Sequence, residues 1–238
     1  QSYEIYKIRR YGFHGISHKY VSERAAEFMG QNPGRVKTIV CHLGNGASIC
    51  AVKYGRVVDN SMGFTPLEGL VMGTRCGDVD PGALEYLAKK ENLSLSEVMQ
   101  ILNKESGVLG ISRNYSSDFR ELKDAEIKYN DMAALAREIF AYKVAKYIGS
   151  YAAAMNGVDN IVFTAGVGEN DSDIRTEICD YLEFLGITID EVKNREQGEA
   201  FKISDGASRV NVLVIKTNEE LEIAREAAAV AEPILKKR

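Results

Sequence analysis

The chain has 238 residues, enough to bury a full hydrophobic core as one large domain or two small ones. It is 45% hydrophobic and 27% charged with a net charge of −4, and its short Lys/Arg runs argue against nucleic acid or an anionic membrane as partner. No apolar run approaches the roughly 18 residues a membrane helix needs, no metal-ligand spacing is present, and the scattered Cys41, Cys50, Cys76 and Cys179 read as reduced thiols of a cytoplasmic protein.

Tyr3–Arg10 leads into a loop, Arg9-Arg10-Tyr11-Gly12-Phe13-His14-Gly15. Arg9, Arg10 and His14 beside a helix start suit an oxyanion, or form a solvated basic loop around a buried histidine. Ser17 is the expected N-cap of a helix over about His18–Met29, stopped by Gly30–Gly34 with Pro33. Thr38–Cys41 then reads as a buried strand running into the turn His42-Leu43-Gly44-Asn45-Gly46. Ala47–Lys53 and Arg56–Ser61 follow as strands, so Thr38–Ser61 is predicted to be a three-stranded meander. By turn chemistry alone the Gly44–Gly46 stretch is a plain hairpin; the weaker option is that its N–H groups face a phosphate.

Gly63–Pro81 is loop-rich, with Gly69, Gly73 and Gly77 four residues apart. It is either a short helix with a small-residue face or a glycine collar presenting Arg75 and Asp78. Helices are predicted over Pro81–Lys90 and over Leu95–Asn103, the second entered through Ser94. Ser106–Asp118 is a long polar loop closed by Asp118-Phe119-Arg120. The longest helix is predicted over Met132–Asn156, with Leu135, Ile139, Tyr142, Ala145, Ile148 and Ala152 on its buried face, facing core or another subunit.

Asn160–Phe163 reads as a buried strand that delivers Thr164-Ala165-Gly166-Val167-Gly168-Glu169-Asn170 to its C-terminal end, ahead of a helix over about Ser172–Phe184. Strand, glycine turn and helix suit a nucleotide's phosphate or ribose. The stretch lacks the third glycine of a dinucleotide fingerprint and the Gly-Lys-Ser/Thr of a P-loop. Val210–Ile215 is the last strand, and Glu219 opens a helix to about Leu235. Glu219 and Glu220 either complement the helix dipole or face a Mg²⁺-bound phosphate. Hairpins followed by alternating helices and strands predict an α/β domain unlike a dinucleotide-binding fold.

The stretches RRYGFHGISHKYV, CHLGNGASI, DNSMGFTPLEGLVMGTRCGDVDPG, FTAGVGEN and TNEE, in this order over nearly the whole chain, resemble the C-terminal part of the acetate kinase family. The resemblance implies a ribonuclease H-like (actin/Hsp70-type) α/β lobe, a mixed sheet flanked by helices. The nucleotide-binding lobe would span residues 1–218 with a helical insertion at about 64–130. A closing helix, 219–238, packs in the family on an N-terminal lobe. The implied activity is reversible phosphoryl transfer between ATP and acetate, giving acetyl phosphate and ADP, with Mg²⁺ (or Mn²⁺), in a homodimer.

By the same resemblance His14 and Arg75 stabilise the transferring phosphoryl group, and Asn45 lies near it. His42, Leu43, Gly44, Asn45 and Gly46 form the phosphate-facing loop, and Asp118, Phe119 and Arg120 contact adenosine. Gly166, Val167, Gly168, Glu169 and Asn170 cradle the sugar side, and Glu219 binds the metal. Propionate or butyrate kinase, and a nucleotide-binding module without catalysis, are the alternatives. Two departures stand out. Ile16 sits where the family pattern usually has Thr, and the family's N-terminal lobe has no counterpart here. We therefore expect part of a longer chain, inactive alone, whose last helix is displaced, swapped or paired with another chain.

Overall fold

The computed structural model describes residues 1–235. In chain order these form α1 (Ser2–Tyr6), α2 (Gly15–Phe28), β1 (Lys37–Leu43), β2 (Ala47–Lys53), β3 (Arg56–Asn60), α3 (Pro81–Glu91), α4 (Leu95–Lys104), α5 (Gly107–Ile111), α6 (Phe119–Ile127), α7 (Asp131–Met155), β4 (Asn160–Thr164), α8 (Ala165–Asn170), α9 (Ser172–Asp180), β5 (Ala200–Lys202), β6 (Asn211–Ile215) and α10 (Glu219–Leu235).

The strands make one mixed sheet in the order β3-β2-β1-β4-β6-β5. The meander β1-β2-β3 is antiparallel; β4 and β6 extend it in parallel to β1, and β5 closes the far edge antiparallel. Both faces of the central strands are covered, so these strands read as apolar runs rather than alternating ones. Side chains still divide by the two-residue period. Ile39, Cys41 and Leu43 of β1 face a large core with Phe140, Val144 and Ile148 of α7. Val40, Val162 and Leu213 face Val21 and Ala25 of α2 on the other side.

The differences from the sequence reading have local causes. Strand β1 runs two residues further than expected, so His42 and Leu43 are paired in the ladder and the turn shrinks to Gly44-Asn45-Gly46. α2 starts at Gly15, with His14 as its N-cap in the left-handed region (φ 59°), and Ser17 lies inside the helix. The stretch 106–118 contains α5, and Gly166–Asn170 is the short helix α8. α7 buries a broader, shifted face that includes Ala133, Ala136, Phe140 and Ala141, leaving Leu135 and Tyr142 exposed. Its alanines let the helix axis approach the sheet, so the broader face fits against it.

The residues between β3 and α7 form a loop and α3–α6. Ser94 and Glu97 make a reciprocal capping box that starts α4. The N–H groups of Val108 and Leu109 in α5 donate to the carbonyls of Met72 (2.9 Å) and Gly73 (3.0 Å). Gly107 (φ +64°) permits this approach, because a Cβ there would collide with those carbonyls. Asp78 pins the same loop to α7, accepting from Tyr147 (2.8 Å) and from Lys143 (3.3 Å).

The first turns of α10 lie against α2, where Lys19 bridges Glu222 (2.6 Å) and Glu226 (2.7 Å). Ile223 and Val230 remain exposed.

Candidate active site

Parallel pairing sets His42 opposite Thr164. The ends of β1 and β4 therefore reach the same edge of the sheet, where open α/β folds place ligands. There the Gly44–Gly46 turn lies beside Ala165, the left-handed residue (φ 64°) that links β4 to α8. A Cβ built on Gly44 would sit 3.7 Å from that of Ala165. His14 and Ala165 are both non-glycine residues held at positive φ, a strain of about 1–3 kcal/mol each that the surrounding packing sustains.

Three expected residues meet at this turn. The His14 ring stacks on His42 with centroids 4.0 Å apart and planes at 21°. A Cβ on Gly46 would lie 3.3 Å from Arg75 Nη1 and 3.8 Å from His14 Nε2. Asn45 is held on the opposite side: its carbonyl accepts from Gly73 N–H (3.2 Å), and a Cβ on Gly73 would collide with its Oδ1. Arg75 Nη1 donates to the Pro66 carbonyl (3.3 Å), and the guanidinium forms no ion pair among the described residues. Arg9 and Arg10 do not join the group. Arg9 lies over Tyr11, and Arg10 is bound to Glu68 and the Asn60 carbonyl.

Buried hydroxyls hold the imidazoles. Ser48 Oγ lies 2.9 Å from His14 Nδ1 and 2.7 Å from His18 Nε2. Ser17 Oγ lies 2.8 Å from His42 Nδ1 and accepts from the Thr217 hydroxyl at 2.8 Å. Burial lowers the pKa of all three histidines. Arg75 adds to the effect at His14, and His42 is pushed down to about 3 by burial and then by His14. Neutral imidazoles are the resting state.

On the other side of Asn45 a cavity of about 730 Å³ opens, the size of a small-molecule site. Of the expected residues, Gly44, Asn45, Asp118, Phe119, Arg120, Gly166, Val167 and Asn170 line it. Leu43 lies in the core, and Gly168 is packed against Phe163 and Leu43. Glu169 points elsewhere, accepting from Ala165 N–H (2.8 Å) and Thr217 N–H (3.3 Å), so it fixes the strand ends instead of facing the cavity.

Lys123, Asp124 and Asp171 also line the cavity, though the sequence did not single them out as site residues. Asp171 caps α9 and is gripped by buried Arg137 (2.7 Å). Burial alone would raise its pKa; Arg137 and Lys123 more than reverse that, and the carboxyl sits below its ordinary value. Ser17, His18 and Ser48 were also missed. Ser48 sits directly across the hairpin from His42, but its partners come from α2 and the residue that caps it.

Glu219, at the start of α10, is partly exposed and its carboxylate makes no ion pair among the described residues. No group of three or more His, Cys, Asp or Glu side chains among the described residues is placed to hold a metal. A lone carboxylate still suits Mg²⁺, which takes one or two carboxylates and completes its shell with phosphate oxygens and water. None of the helices among the described residues is long and apolar enough to cross a membrane.

The sheet order and the loops at its strand ends define a ribonuclease H-like α/β lobe of the actin type. The chain belongs to the acetokinase family, whose model matches residues 1–225. It is 58% identical over 234 residues to the acetate kinase of Thermotoga maritima, covering 98% of this chain and 58% of that protein. It is 59% identical over 235 residues to the acetate kinase of Thermosipho melanesiensis, with the same coverage of each. The crystal structure of Porphyromonas gingivalis acetate kinase matches with a TM-score of 0.92 at 47% identity, covering 96% of this chain and 57% of that one. A propionate kinase from Francisella tularensis matches with a TM-score of 0.88 at 46% identity, covering 94% and 57%. The chain thus spans 58% of the length of the first curated relatives it matches.

Proposed function

We propose that this chain is the nucleotide-binding lobe of an acetate kinase, which transfers a phosphoryl group reversibly between ATP and acetate, giving ADP and acetyl phosphate. The carrying observation is the meeting of His14, His42 and the unpaired Arg75 at the Gly44–Gly46 turn, at one end of a nucleoside-sized cavity. Phosphoryl transfer asks little covalent chemistry of a protein; it asks for positioning and for donors and cations around a loose, charge-spread group. Arg75 and His14 meet that charge together beside Gly46, each worth about 3 kcal/mol. The turn's N–H groups and Asn45 receive the phosphates. Asp118–Arg120 on one wall and Gly166, Val167 and Asn170 on the other take the nucleoside.

Glu219 would hold Mg²⁺ (or Mn²⁺), which when bound neutralises charge on the phosphate oxygens. The relatives' length outside this chain would supply the facing lobe and much of the acetate site, and the exposed Ile223 and Val230 of α10 suit contact with it. A cytoplasmic setting accords with four free cysteines. The exposed edge of α7, with Leu135 and Tyr142, would serve a homodimer, to be read by sedimentation equilibrium.

The test pairs calorimetric titration of the 238-residue chain with ATP and ADP with a phosphotransfer assay on ATP and acetate. Nucleotide binding without turnover is the expected result. Turnover by the chain alone would contradict the need for a second lobe; absence of nucleotide binding would remove the whole reading. The propionate kinase neighbour supports one other acceptor, and a comparison of acetate with propionate in an enzyme restored to the relatives' full length separates the two.

A further inference from the structure

All three histidines of the chain fall in one cluster, with ring centroids 4.0 to 6.3 Å apart. Their hydrogen bonds determine where the ring protons sit, and the assignment starts at the most buried ring. His18 is 1% exposed; its Nε2 meets Ser48 Oγ at 2.7 Å, and its buried Nδ1 has no hydrogen-bond partner. A buried N–H without an acceptor is rare in folded proteins, and it costs the full desolvation of a donor. The His18 proton therefore belongs on Nε2, donated to Ser48. A serine hydroxyl has one proton, and the remaining partner of Ser48 is His14 Nδ1 at 2.9 Å. His14 Nδ1 accepts, so its own proton sits on Nε2.

A second relay gives the same result for the other ring. The Thr217 hydroxyl donates to Ser17 Oγ, and Ser17 has its single proton left for His42 Nδ1 at 2.8 Å. Both Nε2 atoms face the turn. His14 Nε2 is 3.8 Å from a Cβ built on Gly46, and His42 Nε2 is 3.9 Å from one built on Gly44.

We propose that Ser48 and Ser17 are positioning residues that lock the stacked His14 and His42 as neutral Nε2–H tautomers, so that each presents an N–H donor to the Gly44–Gly46 turn. Burial and then the facing Arg75 oppose a second proton on His14. Arg75 faces it from the loop, His42 stacks on it from β1, and His18 stands one helical turn away on α2. Fixed donors that need no reorientation as charge develops stabilise a transition state better than rotating ones. That these donors meet a phosphoryl group rests on the phosphotransfer reading above; the tautomers themselves do not.

The test is long-range ¹H–¹⁵N spectroscopy of the imidazoles in the 238-residue chain without nucleotide, above the ordinary histidine pKa. Three histidines give three ring systems, assigned with His14→Asn and His42→Asn. The expected spectrum shows a pyrrole-like Nε2 and a pyridine-like Nδ1 in every ring. Ser48→Ala is expected to turn His14 into a tautomer mixture and leave His42 unchanged, and Ser17→Ala to do the reverse. A general loss of packing would move both rings together, and that result would overturn the relay. So would a wild-type His14 or His42 protonated on Nδ1 or on both nitrogens. The wild-type spectrum alone decides the tautomers if a variant fails to fold, and it does so whether or not the chain transfers phosphate.

Discussion

At the phosphate end of the cleft, His14, His42, Ser17 and Ser48 are tied into one mostly buried network that reaches α2, β1, β2 and the segment before α10. At the nucleoside end, Asp118 and Arg120 are bound mainly to each other, and the Arg120 side chain is 90% exposed. Geometry at the first end is imposed by the fold from four directions, so little of it is lost or gained when a ligand arrives. The exposed side chains of the second end must be ordered by the ligand, at a cost in conformational entropy. Asp171 combines the two, lining the cavity yet anchored by buried Arg137.

The largest expected effect breaks that anchor. Arg137 is 3% exposed and binds both Asp171 and Glu126, so Arg137→Leu leaves the buried Asp171 carboxylate with only Lys123 (3.5 Å) and the Ile174 N–H (3.3 Å) as partners among the described residues. A loss of about 3 kcal/mol, the lower end for breaking a buried pair because Lys123 remains, is expected in urea unfolding. Only a small loss would mean that the anchored wall of the cavity is no better held than its exposed wall.

Arg75→Ala tests the phosphate end next. An unpaired guanidinium facing a phosphate contributes about 1.5–3 kcal/mol through charge-assisted hydrogen bonds. ATP affinity is expected to fall by about 10- to 100-fold by calorimetry, with adenosine affinity unchanged. Equal losses for both ligands would show that Arg75 does not read the phosphates.

Acidification probes the same end without mutation. The folded-state pKa values of His14, His18 and His42 all lie below the unfolded value, so the unfolded chain takes up protons first as pH falls. Stability is then complete above about pH 6.5 and declines below it, by up to about 1.4 kcal/mol per pH unit for each histidine. For His42 the decline continues to about pH 3. Chemical denaturation at stepped pH checks the slope; a flat profile between about pH 6.5 and 5 would mean the imidazoles titrate at their ordinary value in the folded chain, and a rise in stability on acidification would mean they are already charged there.

The same contrast explains what could be read from the sequence. Strands β1, β2 and β4 and their turns were legible because a buried sheet demands unbroken β-branched runs and the turns demand glycine. The Asp118–Arg120 wall was legible only through the family resemblance, since its residues are ordinary for an exposed helix start. The hydroxyl relays were not legible. Ser48 within an apolar strand and Ser17 within a helix have no local signature, and their roles arise when α2, β1 and β2 are brought together. α8 was hidden for a related reason. Two glycines in six residues disfavour a helix by about 1 kcal/mol each, but buried Arg175 binds the Gly168 (2.9 Å) and Glu169 (3.0 Å) carbonyls and holds the turn helical. Tyr142 misled in the opposite direction, because apolar spacing cannot tell the rim of a broad buried face from its centre.

The smallest expected effect is at Arg120, and it sharpens the contrast between the two ends. Asp118 caps α6 through the backbone N–H of residue 120 (2.8 Å), a contact that survives Arg120→Ala. What the variant removes is an exposed ion pair with Asp118, a kind that salt screens and that adds little to stability. The unfolding midpoint is therefore expected to stay where it was. If the guanidinium folds over a bound nucleoside, affinity falls a few-fold, and by the same factor for ATP, ADP and adenosine, because the contact lies on the side they share. Arg75→Ala separates these three ligands and Arg120→Ala does not. Competition binding with the three ligands on both variants measures that difference directly. A loss at Arg120 that grew with the number of phosphates would place this side chain at the phosphate end and erase the distinction.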